Sequence, residues 1–296
     1  MNLPEKFSEF LKPDCDRKEF IQNYLLELGL KSSVVVLEGK NHIYVDFPKE
    51  YYDKRYKIKT LVAHYDRVDG APGANDNSSG VFALLGAARF FLENPSVYNV
   101  RLIFTDGEEE GRFGVSSQGA FSLAKKFKEL GSMESDVYVF DCVGRGDVPV
   151  LCQLEIPKTA DVSLRRNYAS LQNQVRNIIS KYSSSGPIEV PASFSDNAGF
   201  IANGIAACAI TMLPRDEALN YMSNLSRIPG LAQSVMNRRL EDVPEKIAPE
   251  YVLRESIPLT WRYFHTQYDT ATTLTPVSFS IIHKVIIDIA RINLIK

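Results

Sequence analysis

The 296-residue sequence contains few cysteines and has no excess of either charge. Its four cysteines lie far apart, without the CxxC or CxxH spacing of zinc fingers and redox pairs. We therefore expect buried, reduced thiols in a cytoplasmic protein. With 34 basic and 36 acidic residues the net charge is −2, so the composition gives no electrostatic reason to expect a nucleic-acid or membrane partner.

Long hydrophobic runs are also missing. The longest apolar stretches, such as 139–143 and 205–213, have the length of a strand and are far too short to cross a bilayer. Residues 1–20 carry scattered charges and no apolar block, so they predict no signal peptide. The HExxH, Walker A and GxGxxG motifs are absent, and with them three common signatures of metal or nucleotide sites.

The main pattern that is present is an alternation of apolar strands with amphipathic helices. Strand-like segments occur at 58–64, 100–106, 137–143 and 205–211, and helical periodicity at 79–93, 115–130 and 164–182. A helix at 16–29, a β-hairpin at 32–48 and a closing helix at 278–296 complete the pattern. It predicts an α/β fold whose largely parallel sheet is covered by helices on both faces.

The chain is expected to form one domain over residues 1–296. Hydrophobic residues make up 45% of it, which is enough to bury a large core without a disulfide or a metal. The irregular stretch at 214–262 contains several prolines and is expected to form a cap over the pocket.

Residues with metal-binding side chains follow the ends of the predicted strands. In a parallel sheet, ligands bind beyond the carboxyl ends of the strands. Two imidazoles together with several carboxylates suit zinc, and cobalt or manganese could bind as well. The candidates are His64, Asp66, Asp76, Glu108, Glu109, Asp141 and His265.

Each candidate also has an ordinary structural alternative. Asp76 precedes a helix and could be its N-cap, and Glu108–Glu110 could be a solvated acidic turn. However, three adjacent carboxylates repel one another, and a cation would relieve that repulsion. An unpaired charge is costly at the end of an apolar strand, where Asp141 lies. Asp66 follows His64 by two residues in an extended segment, so it could orient the imidazole of a metal ligand.

Six motifs then indicate a known family: AHYD (63–66), PGANDNSSG (72–80), DGEEEG (106–111), VFDCVG (139–144), SDNAGF (195–200) and FHTQYDT (264–270). Their wording and order resemble the co-catalytic two-zinc metallopeptidases, typified by the bacterial leucyl aminopeptidases and glutamate carboxypeptidase. The resemblance covers most of the chain. It implies a three-layer α/β/α sandwich with a mixed, mostly parallel central sheet.

The resemblance also implies a centre of two divalent ions, expected to be zinc. His64 and Asp141 would bind one ion, and Glu109 and His265 would bind the other. Asp76 would bridge the two ions by offering one carboxylate oxygen to each.

The function implied is that of an exopeptidase, in particular an aminopeptidase that hydrolyses N-terminal residues from peptides. Glu108 would act as the general base on a metal-bridging hydroxide, and Asp66 would support His64 from behind. The expected substrate is a peptide or a small amide. Asn197 departs from the family pattern, since many relatives have a histidine there, and this leaves substrate contacts at 195–200 open.

Three alternatives stay open. A glutaminyl-peptide cyclotransferase, with a single zinc ion, resembles the chain at HYD and DGEE but differs where this sequence has DNSSG and HTQYDT. A carboxypeptidase or another amide hydrolase is compatible with the same residues. A non-catalytic binding protein on a peptidase scaffold would typically have lost ligands, and all five ligand positions are intact here. Neither the oligomeric state nor the preferred substrate side chain is indicated.

Residues outside the motifs, or beside the ligands, are expected to be structural. His42 and His283 fall in no motif. Cys142 follows a proposed ligand, so its side chain is expected on the opposite face of the strand, packed in the core.

Overall fold

Residues 2–45, 47–132, 135–183, 186–236 and 248–295 are described by the structure, a computed structural model. In these residues the strands are β1 Ser32–Leu37, β2 Lys40–Val45, β3 Lys59–His64, β4 Val100–Thr105, β5 Asp136–Phe140, β6 Val148–Gln153, β7 Ile188–Pro191 and β8 Ala207–Leu213. The α-helices are α1 Phe7–Phe10, α2 Arg17–Glu27, α3 Gly80–Glu93, α4 Gly119–Glu129, α5 Val162–Ile179, α6 Asp196–Ala202, α7 Arg215–Arg227, α8 Leu231–Met236, α9 Glu250–Ser256, α10 Leu259–Arg262 and α11 Pro276–Arg291.

The strands form one sheet whose centre is parallel. Their order is β1-β2-β4-β3-β5-β8-β6-β7, and β4, β3, β5 and β8 run in the same direction. The β1–β2 hairpin adds antiparallel to β4 on one side, and β6 adds antiparallel to β8 on the other. Every residue of the four central strands is buried. This explains why their sequences are largely apolar.

Helices cover both faces of the sheet, as successive residues of β5 show. Tyr138 and Phe140 pack into a core with α3, α5 and α11. Val137 and Val139 point the other way and pack with α4 and α6. The predicted three-layer α/β/α sandwich with a mixed, mostly parallel sheet is confirmed.

The predicted elements agree with the observed ones apart from small shifts in their ends, but the sequence pattern does not predict β6 and β7. Pro149 lies within β6 and Pro191 ends β7. Proline weakens a strand pattern because it has no N–H to donate to the ladder. The hairpin turn falls on Glu38 and Gly39, which both have positive φ, rather than on the two residues that follow.

The described part of the predicted cap consists of α7, α8, α9 and α10, and residues 237–247 lie outside the described residues. Tyr221, Leu231 and Leu253 pack against β6 and β7 in a hydrophobic cluster of their own. The segment therefore lies at the β6–β7 end of the sheet, and its role as a cap stays a prediction. No helix in the described part of the chain is long and apolar enough to cross a membrane.

Candidate metal centre

The carboxyl ends of β3 and β5 bring two predicted ligands together. His64 is the last residue of β3, and Asp141 follows β5 directly. Because the two strands are neighbours in the sheet, Nε2 of His64 lies 3.5 Å from Oδ1 of Asp141. Burial disfavours the charged imidazole, but the surrounding carboxylates outweigh this effect and raise the pKa of His64 well above its usual value.

Asp76 lies between two histidines. It belongs to the segment Ala74–Ser79, which follows Gly73 with a φ of 63° and leads into α3. Its Oδ1 atom lies 3.3 Å from Nε2 of His64, and its Oδ2 atom lies 3.3 Å from Nε2 of His265. Burial opposes ionisation, yet the two imidazoles hold the pKa of Asp76 well below its usual range. One buried carboxylate thus faces two imidazoles, which is the arrangement a bridging ligand needs.

The N-cap alternative for Asp76 is wrong, because Asn77 takes that role. The Oδ1 atom of Asn77 accepts a hydrogen bond from the N–H of Gly80 at 2.9 Å. The same side chain donates through Nδ2 to the carbonyl of Phe140 at 2.9 Å. The loop is thereby tied to the end of β5, and the Asp76 carboxylate is left for the metal centre.

The three adjacent glutamates after β4 have three different environments. Oε2 of Glu109 lies 2.9 Å from Nε2 of His265. Glu108 is buried, and its Oε1 atom accepts a hydrogen bond from Nε2 of Gln118 at 2.9 Å. Glu110 is more exposed and pairs with a lysine of β2. Of the three glutamates, only Glu110 is solvent-exposed, so the alternative of a solvated acidic turn applies to Glu110 alone.

Asp66 lies behind the predicted ligands and fixes two segments. Its carboxylate accepts hydrogen bonds from the backbone N–H groups of Glu108 and Glu109, at 3.2 and 3.0 Å. Its Oδ1 atom also lies 3.4 Å from Nδ1 of His64. A carboxylate in this position orients both an imidazole and the turn that carries the glutamates.

Buried donor atoms without hydrogen-bond partners show that cations fit this site. Both ring nitrogens of His64 and both carboxylate oxygens of Glu109 are buried and make no hydrogen bond. Such atoms are costly to bury unless something binds them. Ligand atoms of His64, Asp76 and Glu109 lie within 4.8 Å of one another, and so do those of Asp76, Asp141 and Cys142. Because Asp76 belongs to both groups, the donor set suits two divalent cations that share it.

The crowding of acidic groups shifts the pKa of the outer ligands in the metal-free protein. Burial and the charge of Asp76 raise the pKa of Glu109 to about 7. Close contacts of its Nε2 atom with the carboxylates of Asp76 and Glu109, at 3.3 and 2.9 Å, raise the pKa of His265 to about 10. His265 itself has a φ of 61° and a partly exposed side chain. A cation at this point would release the protons that these groups hold without it.

Three supporting residues are not predicted from the sequence. Asp269 accepts hydrogen bonds from two backbone N–H groups at the Asp76 loop, and Gln118 holds the Glu108 carboxylate. The buried guanidinium of Arg17 donates to two carbonyls of the segment 65–72. Asp269 lies inside the FHTQYDT motif, so the motif could have indicated that it belongs to the site. Arg17 belongs to α2 and lies outside every motif, so the sequence does not indicate its role.

The expectation for Cys142 is wrong. Its side chain does not pack on the far face of the strand: Sγ donates a hydrogen bond to Oδ1 of Asp141 at 3.2 Å and lines the cavity next to the ligands. Cys142 lies past the end of β5 and has a φ of 56°. Residues alternate between faces only while the backbone is extended, so the alternation no longer applies there.

A cavity of about 850 Å³ opens beside these residues. Asp76, Glu108 and Asp141 reach its wall, together with His265. Much of the remaining wall is apolar and is formed by Phe194, Val235, Ile257, Trp261 and Phe264. The cavity wall therefore combines acidic, metal-type residues with apolar ones, as small-molecule and substrate sites often do.

Asn197, the departure from the family pattern, is buried next to this cavity. It is 1% exposed, and its Oδ1 atom accepts a hydrogen bond from the backbone N–H of Ser195 at 3.0 Å. Ser195 lines the cavity. Asn197 therefore supports the segment that faces the substrate space.

The sequence profile of peptidase family M28 matches residues 45–290, a range that contains every predicted site residue. The chain belongs to peptidase family M28. The predicted relationship to the co-catalytic zinc metallopeptidases is confirmed.

Curated relatives of this chain match over short segments. A segment of 78 residues is 40% identical to Aminopeptidase YwaD of Bacillus subtilis and covers 26% of this chain and 17% of that protein. A segment of 71 residues is 35% identical to the Vacuolar membrane protease of Candida dubliniensis and covers 24% of this chain and 7% of that protein. The matches thus span a small part of each relative's length.

Solved structures resemble this member of the M28 family over nearly its whole length. The LapA aminopeptidase of Legionella pneumophila superposes with a TM-score of 0.62 at 17% identity, over 97% of this chain and 69% of that one. A Zn-dependent exopeptidase from Parabacteroides distasonis superposes with a TM-score of 0.61 at 16% identity, over 96% and 94% of the two chains. At these identities the likeness establishes the fold.

Proposed function

We propose that this M28 peptidase is a two-zinc aminopeptidase that removes N-terminal residues from peptides. The observation that carries the proposal is the position of Asp76. Its two carboxylate oxygens face His64 on one side and His265 on the other, each at 3.3 Å. A carboxylate shared in this way holds two cations side by side, whereas the single-metal alternative does not require one.

The remaining ligands divide between the two sides of Asp76. His64 and Asp141 would hold one ion, and Glu109 and His265 would hold the other. The distances between their donor atoms, 3.5 and 2.9 Å, are short enough for each pair to share one cation. The mixed nitrogen and oxygen donors favour zinc among the available divalent ions.

When bound, the two ions would polarise the scissile carbonyl and lower the pKa of the attacking water. Glu108 takes the proton from this water and then delivers it to the leaving amine. The structure supports this role, because Glu108 lines the cavity and its carboxylate is held by Gln118. The hydrogen bond from Gln118 orients the Glu108 carboxylate before the substrate binds.

The cavity wall favours an aminopeptidase over a carboxypeptidase. The carboxylates of Asp76 and Asp141 on that wall would be occupied by the cations, and one of the two ions would help to hold the free amine of the substrate. A carboxypeptidase instead needs a cation for the terminal carboxylate of its substrate. Apart from His265, the basic side chain on the described wall is Arg112, which is exposed. The apolar residues of the cavity wall suit an aliphatic or aromatic side chain in the first residue of the substrate.

Metal analysis combined with a panel of aminoacyl-anilides tests the proposal. We expect two zinc ions per chain and chelator-sensitive release of the anilide from unblocked substrates, with no release after acetylation of the amino terminus. One ion per chain together with cyclisation of N-terminal glutamine would instead identify a cyclotransferase. Hydrolysis of peptides with a blocked amino terminus and a free carboxyl terminus would identify a carboxypeptidase, and an absence of hydrolysis would identify a binding protein.

A cytoplasmic location belongs to the proposal as well. All four cysteines are unpaired, as the sequence predicts. Fractionation of cells that express the full chain tests this part, and recovery of the protein with membranes or outside the cell would contradict it.

A further inference from the structure

A sulfur atom lies among the predicted metal ligands. Cys142 is 3% exposed, and its Sγ atom is 3.2 Å from Oδ1 of Asp141. Sγ also lies within 4.8 Å of ligand atoms of Asp76 and Asp141, which are themselves that close to each other. The family pattern described above uses five nitrogen and oxygen ligands, and this cysteine is not one of them.

The neighbouring imidazole shows that these atoms surround a ligand position. His64 is completely buried, and its Nε2 atom makes no hydrogen bond although it points towards Asp76 and Asp141, at 3.3 and 3.5 Å. Zinc bonds to nitrogen and oxygen of about 2.0–2.1 Å place tetrahedral donors about 3.3–3.4 Å apart. The contacts from Nε2 to the two carboxylates are close to this length. A zinc–sulfur bond is longer, about 2.3 Å, and would place Sγ about 3.5 Å from a carboxylate oxygen on the same ion, within a few tenths of an ångström of the observed 3.2 Å.

We propose that Cys142 Sγ is a further ligand of the ion held by His64 and Asp141, an inference that rests on the proposed metal centre. The backbone supports it, because the left-handed φ of 56° at Cys142 turns the side chain towards the ligands at the end of β5. As the metal–sulfur bond forms, the thiol proton leaves to solvent and the electron pair on sulfur becomes the donor pair.

A sulfur ligand would make the two halves of the centre chemically different. The ion beside Cys142 would have nitrogen, oxygen and sulfur donors, while the ion between Glu109 and His265 would have nitrogen and oxygen donors. Thiolate favours zinc and cadmium over manganese and magnesium. The site of His64 and Asp141 is therefore expected to be the thiophilic one.

Cobalt reconstitution of the full chain tests the proposal, since only a sulfur ligand gives cobalt(II) an intense near-ultraviolet charge-transfer band. We expect this band in the wild-type protein and its loss in Cys142→Ser. Cys152→Ser is the matched control, because Cys152 is also buried and lines the same cavity but is not among the grouped ligand atoms. The band should persist in Cys152→Ser. Circular dichroism of both variants checks that they fold, and Cys142→Ala provides a second removal of sulfur.

The outcomes separate this proposal from the proposed function. Two bound cobalt ions without a sulfur band in the wild type, or a band that survives in Cys142→Ser, would overturn the sulfur ligand and leave the two-metal peptidase intact. A wild-type chain that binds no cobalt would overturn the metal centre itself, and the sulfur ligand with it. A cadmium affinity that falls in Cys142→Ser while manganese affinity is kept would support the sulfur ligand independently.

Discussion

The carboxylate of Asp269 holds the backbone of Asp76, which lies 193 residues earlier in the chain. Its Oδ2 atom accepts a hydrogen bond from the N–H of Asp76 at 3.0 Å, and its Oδ1 atom accepts one from the N–H of Asn75 at 2.8 Å. Burial and the charge of Asp76 raise the pKa of Asp269 to about 7. This contact connects the segment that follows His265 to the loop before α3. The two sides of the metal centre are therefore fixed to each other through the backbone.

Asp269→Asn is expected to weaken metal binding. The amide offers a single acceptor, so one of the two backbone N–H groups loses its partner and the Asp76 loop is less well positioned. Residues that orient ligands typically change metal affinity by about 10–100-fold. Competition with a chromogenic chelator measures the affinity. Asp288→Asn is the control, because Asp288 lies on α11 and pairs with Lys181; equal zinc affinity in the two variants would contradict the role given to Asp269.

Glu108→Gln is expected to lose turnover and keep its metal. The amide occupies the same space beside Gln118 but cannot take a proton, and removal of a general base typically costs about 10²–10⁴-fold in rate. Steady-state kinetics with an aminoacyl-anilide and metal analysis of the same sample measure the two quantities. Glu110→Gln is the matched control, since Glu110 is adjacent in sequence but exposed, and it should remain active. Full activity in Glu108→Gln would refute the assignment of the base.

Asp76→Asn is expected to reduce the metal content from two ions per chain to one or none. An amide has one oxygen to offer and cannot bridge two cations. Metal content per chain after dialysis against trace zinc measures the effect. Asp69→Asn is the control, because Asp69 lies in the same segment of sequence but is exposed. Retention of two ions in Asp76→Asn would mean that the two sites do not depend on a shared carboxylate.

His42 is expected to contribute a loss of stability as the pH falls from about 6.5 to about 4. This side chain is 0% exposed, and burial lowers its pKa to about 4, so at His42 the unfolded chain binds a proton in that window that the folded chain does not. Glu109 and Asp269, whose pKa values are raised to about 7 in the metal-free protein, contribute in the opposite direction, so the effect of His42 is seen as a difference between the wild type and a variant. The full effect is on the order of 3 kcal/mol.

Urea unfolding at a series of pH values measures this dependence. In His42→Asn the Oδ1 atom can replace Nδ1 as the acceptor of the Asp106 N–H, but it does not titrate. The stability of the variant relative to the wild type should therefore rise as the pH falls from about 6.5 to about 4. Identical pH slopes for the two proteins would rule out His42 as the cause.

Two tyrosine substitutions are expected to have opposite effects on stability. The hydroxyl of Tyr138 is buried in the sheet without a hydrogen-bond partner, so Tyr138→Phe removes an unsatisfied group and should be neutral or stabilising by up to about 1–3 kcal/mol. The hydroxyl of Tyr221 donates to the carbonyl of Pro191 at 2.8 Å. Tyr221→Phe should therefore destabilise the protein by about 1 kcal/mol. Thermal and urea unfolding measure the stability of each variant relative to the wild type. Destabilisation by Tyr138→Phe would contradict the conclusion that its hydroxyl has no hydrogen-bond partner.

Much of the fold could be predicted because each central strand can be recognised from a few consecutive residues. Residues 59–64 and 136–140 are buried on both faces, so each is a short apolar run that stands out from its neighbours. The strands at 148–153 and 188–191 could not be predicted in this way. They lie towards the edge of the sheet and contain prolines. The place of β6 depends on its pairing with β8, and that of β7 on its pairing with β6, neither of which a local pattern contains.

The candidate site was predictable in part for the same reason. His64 and Asp141 stand at the ends of neighbouring strands, where an α/β sheet binds ligands. The supporting contacts were not predictable. Arg17 and Gln118 are ordinary helix or loop residues in sequence, and they reach the site only because α2 and the start of α4 pack beside it.

The sequence by itself determined the fold class and the residue types that stand at the strand ends, because periodicity and strand-end position are properties of a few consecutive residues. Only the tertiary structure decided how those side chains combine. It set which oxygen of Asp76 faces which histidine, brought Asp269 to the Asp76 backbone, and turned Cys142 towards Asp141 against the expected alternation. These relationships depend on contacts between distant segments and on single backbone dihedral angles, and neither is encoded in a local pattern.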